Sequence, residues 1–266
     1  MKNSIKQLFD DVRTKNPLIH HITNTVTMND CANVTLAIGG SPVMADSPEE
    51  APAMTELAQA LVINFGTIAT DTFQAMIKAG KAANHLGIPV IFDPVGVGAT
   101  SFRTEKAKEL LKEVNIQLIR GNVTEVMGLL GLSAETRGVD AGKTSIDRQQ
   151  LATKAAQEFR SIVVISGKID VISDGQNIVS IANGHEMLTK ITGTGCMTAS
   201  LIGCFAGVTE NFFHAAIAGI SIMSIAGERA VRSLRQGEGV GTFKVKLFDE
   251  ISSIDGGRWE EEVNFK

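Results

Sequence analysis

Cys196, Glu125 and Asp93 are the side chains of this sequence best suited to chemistry, and each stands beside residues that let a backbone meet a ligand. Thr192-Gly193-Thr194-Gly195-Cys196 opens a long small-or-apolar run. Glycines let the main chain approach an anion, and the first-turn N–H groups with the helix dipole form a hole for negative charge. Cys196 falls within that first turn, where a thiol pKa is expected to fall. The same residues also suit a tight loop entering a helix around a small apolar cysteine, because the spacing is short of GxGxxG.

Asn122-Val123-Thr124-Glu125 follows a short apolar run. Asn122 suits a helix N-cap with Glu125 as its capping-box partner, which explains both residues structurally. The chemical reading is that Glu125 and Asp93 hold a Mg²⁺, since such sites use one or two carboxylates and draw the rest of the shell from water and phosphate oxygens. Arg120, just upstream, is a candidate for nucleotide phosphates, although a surface arginine needs no such reason.

Elements that position these residues are legible in the hydrophobic pattern. Apolar runs at Leu18–Ile22, Pro42–Ala45, Leu61–Phe65, Pro89–Phe92, Ile116–Ile119 and Ile162–Ile165 have the length of strands buried on both faces of a parallel sheet. Helical stretches lie between them. Ser47, Pro48, Glu49 and Glu50 read as a helix start, Thr70 and Asp71 as another, and His85-Leu86-Gly87 as an end. Such alternation predicts βαβ units and an α/β fold in one domain, residues 1–266. Ligands of open parallel sheets bind beyond the carboxyl ends of the strands. The residues after the runs are Thr23-Asn24, Met44-Ala45-Asp46, Asn64-Phe65-Gly66, Asp93 to Gly98, Arg120-Gly121-Asn122 and Ser166-Gly167. Polar and glycine residues thus collect on one edge. Further on, Asp170–Ser173 and Asn177–Ala182 around Asp174-Gly175 predict a hairpin with a type I′ turn. The stretches 195–207 and 211–234 predict two heavily buried helices, and the charged tail Arg258–Lys266 predicts a frayed end.

The chain has 266 residues, 44% hydrophobic and 20% charged, with net charge −4. That excludes disorder for most of its length and argues against an extended nucleic-acid or anionic-membrane surface. It leaves room for one small anion held by backbone amides. No segment reads as a signal peptide or a bilayer span. Three cysteines without a CxxC pair point to a reducing cytoplasm. The low charge and small-residue helices also point to an oligomer.

Other motifs carry less. Residues 138–144 resemble a Walker A loop but lack one residue between the glycines and a preceding strand, which makes an ordinary loop the better reading. His20-His21 has no HExxH partner, and His85, His185 and His214 are scattered, so all five read as structural. Met223 reads as core or a subunit contact.

Asn122-Val123-Thr124-Glu125 and Gly193-Thr194-Gly195-Cys196, with Asp93-Pro94-Val95 upstream, resemble the NxxE motif and the late glycine loop of the ribokinase superfamily. The block Ile19-His20-His21-Ile22-Thr23-Asn24 through Met28-Asn29-Asp30, with Gly39 to Met44 and Asp46, resembles the hydroxyethylthiazole kinases of thiamin salvage over essentially the whole chain. The resemblance implies a ribokinase-like three-layer α/β/α fold with a mostly parallel central sheet. It implies ATP-dependent phosphorylation of 4-methyl-5-(2-hydroxyethyl)thiazole. It implies Cys196 at the position of the superfamily's catalytic Asp, with Met44, Gly193 and Asn24 on the substrate. Arg120, Ser166, Thr194 and Gly195 would face ATP, and Asp93 and Glu125 the magnesium. It also implies a homotrimer with active sites between subunits. Cys196 would serve either as a thiolate base or only as a wall of the pocket.

Three readings compete with this one. Hydroxymethylpyrimidine kinases share the late Gly-x-Gly-Cys loop, but the Thr23–Met44 region matches the thiazole family. The ATP-dependent dehydratases of the same fold would place Asp at Cys196. A silent nucleotide sensor would have no use for Asp93, Glu125 and Cys196 together.

Overall fold

A computed structural model describes residues 1–132 and 147–266; the Walker-like segment 138–144 lies outside them. In chain order the elements are α1 (Lys2–Lys15), β1 (Leu18–Ile22), α2 (Met28–Ile38), β2 (Ser41–Met44), α3 (Ala51–Leu57), β3 (Ala60–Asn64), α4 (Thr70–Leu86), β4 (Val90–Asp93), α5 (Ser101–Glu113), β5 (Leu118–Asn122) and α6 (Val123–Leu129). There follow α7 (Arg148–Phe159), β6 (Ile162–Ser166), β7 (Asp170–Ser173), β8 (Ile178–Ile181), α8 (Thr194–Ala206), α9 (Phe212–Arg232), α10 (Val240–Ser253) and α11 (Gly256–Glu262).

Among the described residues the strands form one sheet in the order β2-β1-β3-β4-β5-β6-β7-β8. Pairing is parallel from β2 to β6 and antiparallel in the hairpin extension β6-β7-β8. Alternation along the strands explains the layers, because successive side chains point to opposite faces. Ile19, Val62, Ile91, Leu118 and Val164 pack under α1, α2 and α8–α11. Leu61, Ile63, Phe92, Ile119, Val163 and Ile165 pack under α4–α7. Both faces are therefore buried, and the architecture is the expected α/β/α sandwich.

Small residues serve close approach. A Cβ at Gly203 of α8 would lie 2.8 Å from Val62 Cγ2, and one at Gly219 of α9 would lie 2.5 Å from Ile202 Cγ1. The two long helices are buried as the pattern predicted, and Met223 is core. Among the described residues no helix is long and apolar enough to cross a membrane.

Several boundaries differ from the sequence reading. Ser47 starts a hydrogen-bonded turn, accepting from Glu50 and Ala51 at its carbonyl, and the helix proper begins at Ala51 with Pro52 in its first turn. The fifth strand is Leu118–Asn122, not Ile116–Ile119, which places Arg120 inside the strand. The hairpin turn is not type I′: that turn needs positive φ at both central residues, and only Gly175 has it (φ 91°). The tail is not frayed. Trp259 on α11 is fully buried, stacks near Phe9, and donates from Nε1 to Ser221 Oγ at 2.7 Å. Burying such a ring contributes on the order of 3 kcal/mol, enough to hold a charged segment down. Beyond it Phe265 bridges Ile181, with Ala182 donating to Asn264 and Lys266 to Ser180 along the edge of β8.

Candidate active site

The parallel strands end together, and their register decides which polar residues meet. Asn64, last in β3, lies opposite Asp93, last in β4. Asn122, last in β5, lies opposite Ser166, last in β6. Just beyond β1, Asn24 is buried. It donates from Nδ2 to Asn64 Oδ1 (2.8 Å) and to Cys196 Sγ (3.3 Å). Its Oδ1 accepts from the N–H and the hydroxyl of Thr27, both at 3.0 Å. Asn64 in turn donates from Nδ2 to Asp93 Oδ2 at 2.7 Å. A continuous run of side chains thus joins the start of α8 to the end of β4.

Asp93 is fully buried, and among the described residues its Oδ1 has no hydrogen-bond partner. Burial pushes its carboxyl up to about 7, against the lowering effect of the Arg120 cation and with a further rise from the Glu125 charge. Arg120 Nη1 stands 3.8 Å from Asp93 Oδ1, and Nη2 donates to Ser166 Oγ at 2.8 Å. Its Nε is likewise buried without a partner among the described residues.

Glu125 and Asn122 form the predicted capping box: Glu125 N donates to Asn122 Oδ1 (2.9 Å) and Asn122 N to Glu125 Oε2 (2.8 Å). The other carboxylate oxygen accepts from Gly96 N at 3.1 Å, which ties the cap to the loop after β4. At the head of α8, Gly193 is left-handed (φ 90°), and a Cβ there would lie 2.8 Å from Thr27 Cγ2. A Cβ on Gly195 would collide with the Arg120 guanidinium, so this arginine lies directly against the first turn of the helix. Thr194 Oγ1 is committed to Leu188 O at 3.1 Å.

The expectation of a lowered thiol at Cys196 does not hold. Burial pushes its pKa up, and the neighbouring Asp93 charge adds to the rise, against the lowering effect of hydrogen bonds from Thr27, Asn24 and Asn64. Cys31 and Cys204 are buried thiols raised to about 11 and about 12 by desolvation. Met44 ends the edge strand β2, half-buried and in register with His21. His20 bonds Thr55 Oγ1 and Ala45 O, His21 bonds Ile19 O and Ser200 Oγ, and burial lowers both pKa values. They are framework, not ligands.

Asn24, Asp93, Arg120, Ser166, Gly195 and Cys196 are therefore gathered in one place, with Gly193 and Glu125 on its borders and Met44 on the β2 rim. Sequence reasoning put Asn64 on the ligand edge without giving it a role, and it missed Thr27. Asn64 had a signal, as the polar residue closing an apolar run beside the one ending at Asp93, but its link to Asp93 needs the strand register.

The residues fit a magnesium ion of the kind that binds phosphates. Asp93 Oδ1 is a buried acceptor with no donor among the described residues, and Glu125 is held nearby. Among the described residues no cluster of three His, Cys, Asp or Glu side chains could hold a metal. A cation here would complete its shell with water and phosphate oxygens.

Residues 9–256 match the profile of the Hydroxyethylthiazole kinase family. A hydroxyethylthiazole kinase of Alkaliphilus oremlandii is 47% identical over 256 residues, 96% of this chain and 94% of that protein. The solved hydroxyethylthiazole kinase of Pyrococcus horikoshii superposes with a TM-score of 0.89 at 38% identity, covering 99% of this chain and 98% of the other. A Bacillus subtilis pyridoxal kinase solved with ADP gives a TM-score of 0.56 at 15% identity over 79% of this chain and 90% of its own, which is a likeness of fold alone.

Proposed function

This chain belongs to the hydroxyethylthiazole kinase family, and from that premise we propose how its residues divide the work. It is a kinase that uses ATP to phosphorylate the hydroxyl of 4-methyl-5-(2-hydroxyethyl)thiazole, and the names of its relatives favour this alcohol over the pyrimidine alcohol.

The observation that carries the assignment of roles is the side-chain run from Cys196 through Asn24 and Asn64 to Asp93, laid between the head of α8 and Arg120. Phosphoryl transfer needs alignment and charge stabilisation more than covalent help. Asn24, Met44 and Gly193 face the thiazole alcohol. Arg120 and Ser166 hold nucleotide phosphates, and the amides of Thr194, Gly195 and Cys196 stabilise negative charge on the transferred group. Asp93 and Glu125 hold Mg²⁺, which when bound neutralises phosphate charge. The alcohol oxygen attacks the γ-phosphorus, the bond to the bridging oxygen breaks, and ADP leaves. Cys196 is neutral in the resting enzyme because its thiol is raised. It therefore shapes the pocket and accepts the Asn24 N–H, while the alcohol proton departs late to the phosphoryl oxygens.

We further infer a homotrimer with sites between subunits and a cytoplasmic home, the latter supported by three free cysteines. Coupled measurement of ADP release with the thiazole alcohol, the pyrimidine alcohol and neither tests the function. Release that requires the thiazole alcohol is expected, and release indifferent to it would overturn the reading. Sedimentation at micromolar concentration tests the trimer, and a monomer would refute it.

A further inference from the structure

Arg103 stands outside every role assigned above, at the first turn of α5, where Thr100 Oγ1 caps its N–H at 3.3 Å. Its half-buried guanidinium donates to three main-chain carbonyls, those of Val95 (2.9 Å), Gly66 (2.8 Å) and Phe65. Among the described residues no carboxylate pairs with it. Phe65 and Gly66 begin the loop after β3, and Val95 lies in the loop after β4. Carbonyls that leave a sheet at its carboxyl edge lose their ladder partners, and a planar five-donor fork can satisfy several at once where an ammonium cannot.

Each captured loop bears on a different half of the site. Gly66 N donates to Asn64 Oδ1 at 2.8 Å, and a Cβ on Gly66 would lie 2.6 Å from Asn24 Cβ, so this loop backs the alcohol side. Gly96, next to Val95, donates to Glu125 Oε1, and a Cβ there would lie 3.2 Å from Arg103 Cδ, so that loop backs the carboxylate side.

We propose that Arg103 is a positioning residue for phosphoryl transfer, a single guanidinium that fixes the spacing between the Gly66 loop behind Asn24 and the Gly96 loop behind Glu125. The inference rests on the roles proposed for Asn24 and Glu125. A misplacement near 1 Å is enough to slow a positioned reaction about a hundredfold, so losing the staple acts on turnover more than on folding.

The test compares wild type with R103A and R103K below the melting temperature of each. Thiazole-dependent turnover by wild type reports on the function itself, and the ratio of variant to wild type reports on Arg103. R103A is expected to lose about tenfold or more in kcat, with part of the loss restored by added methylguanidinium. Calorimetric titration with the thiazole alcohol alone, which needs no turnover, is expected to show weaker binding to R103A. Kinetics and binding within about twofold of wild type, or a loss that methylguanidinium leaves untouched, would overturn the proposal. Should R103A not fold, R103K keeps the stem and charge but not the fork, and its turnover is judged by the same limit.

Discussion

Asn64 and Asp93 are joined twice: they are register partners at the ends of adjacent parallel strands, and Asn64 Nδ2 donates to Asp93 Oδ2 at 2.7 Å. The backbone thus sets the side-chain contact, and the other carboxylate oxygen, Oδ1, is left without a hydrogen bond among the described residues.

Asn64→Ala removes a hydrogen bond that lowers the Asp93 pKa, so the acid limb of kcat/KM is expected to move to higher pH. Leaving a buried carboxylate oxygen unpaired should also cost about 1–3 kcal/mol of stability. Rate profiles and urea titrations check both, and an acid limb that stays in place would contradict the coupling.

Cys196, with its thiol raised, should contribute no ionisation to the rate near neutrality. Wild type and Cys196→Ser are expected to give pH–rate profiles of the same shape. A limb that disappears with the thiol would restore it as a base.

Gly195→Ala drives a methyl group into the Arg120 guanidinium. Arg120 must then leave Ser166, and KM for ATP is expected to rise by about tenfold or more with a smaller change for the alcohol. Equal changes in both would separate Arg120 from the nucleotide.

His21 is fully buried, and desolvation lowers its pKa from 6.5 to about 4. Between those values the unfolded chain binds the proton and the folded one does not. The stability His21 contributes is therefore whole above pH 6.5 and falls as pH drops toward about 4, by up to ~1.4 kcal/mol per pH unit. Asp170 acts in the opposite sense. It accepts from Gly167 N and Ser224, and burial raises it to about 6, so its contribution declines as pH rises through that value. The difference in unfolding free energy between wild type and His21→Gln isolates the histidine. It is expected to shrink from pH 6.5 downward, and a constant difference would refute the assignment.

Much of this was legible because the signals are local. A polar residue closing a short apolar run marks a strand end, and Asn122 with Glu125 spells a capping box that the fold retains. What stayed hidden depends on partners distant in sequence. Arg120 reads as a loop residue until β6 pairs with β5 and carries Ser166 to it. The Cys196 thiol reads as acidic from its helix, yet burial and Asp93, which arrives from another strand, decide otherwise. Trp259 looks like one large residue in a charged tail, because its anchor Ser221 lies on another helix.

The pairing of residues 264–266 with the end of β8 bears on how the sheet could meet another chain. An exposed strand edge is a template for any extended chain that drifts by. Here residues 264–266 of the same chain lie along residues 180–182, so that stretch of the β8 rim is closed to strand exchange. The opposite rim, β2, carries Pro42, which cannot donate to an incoming strand.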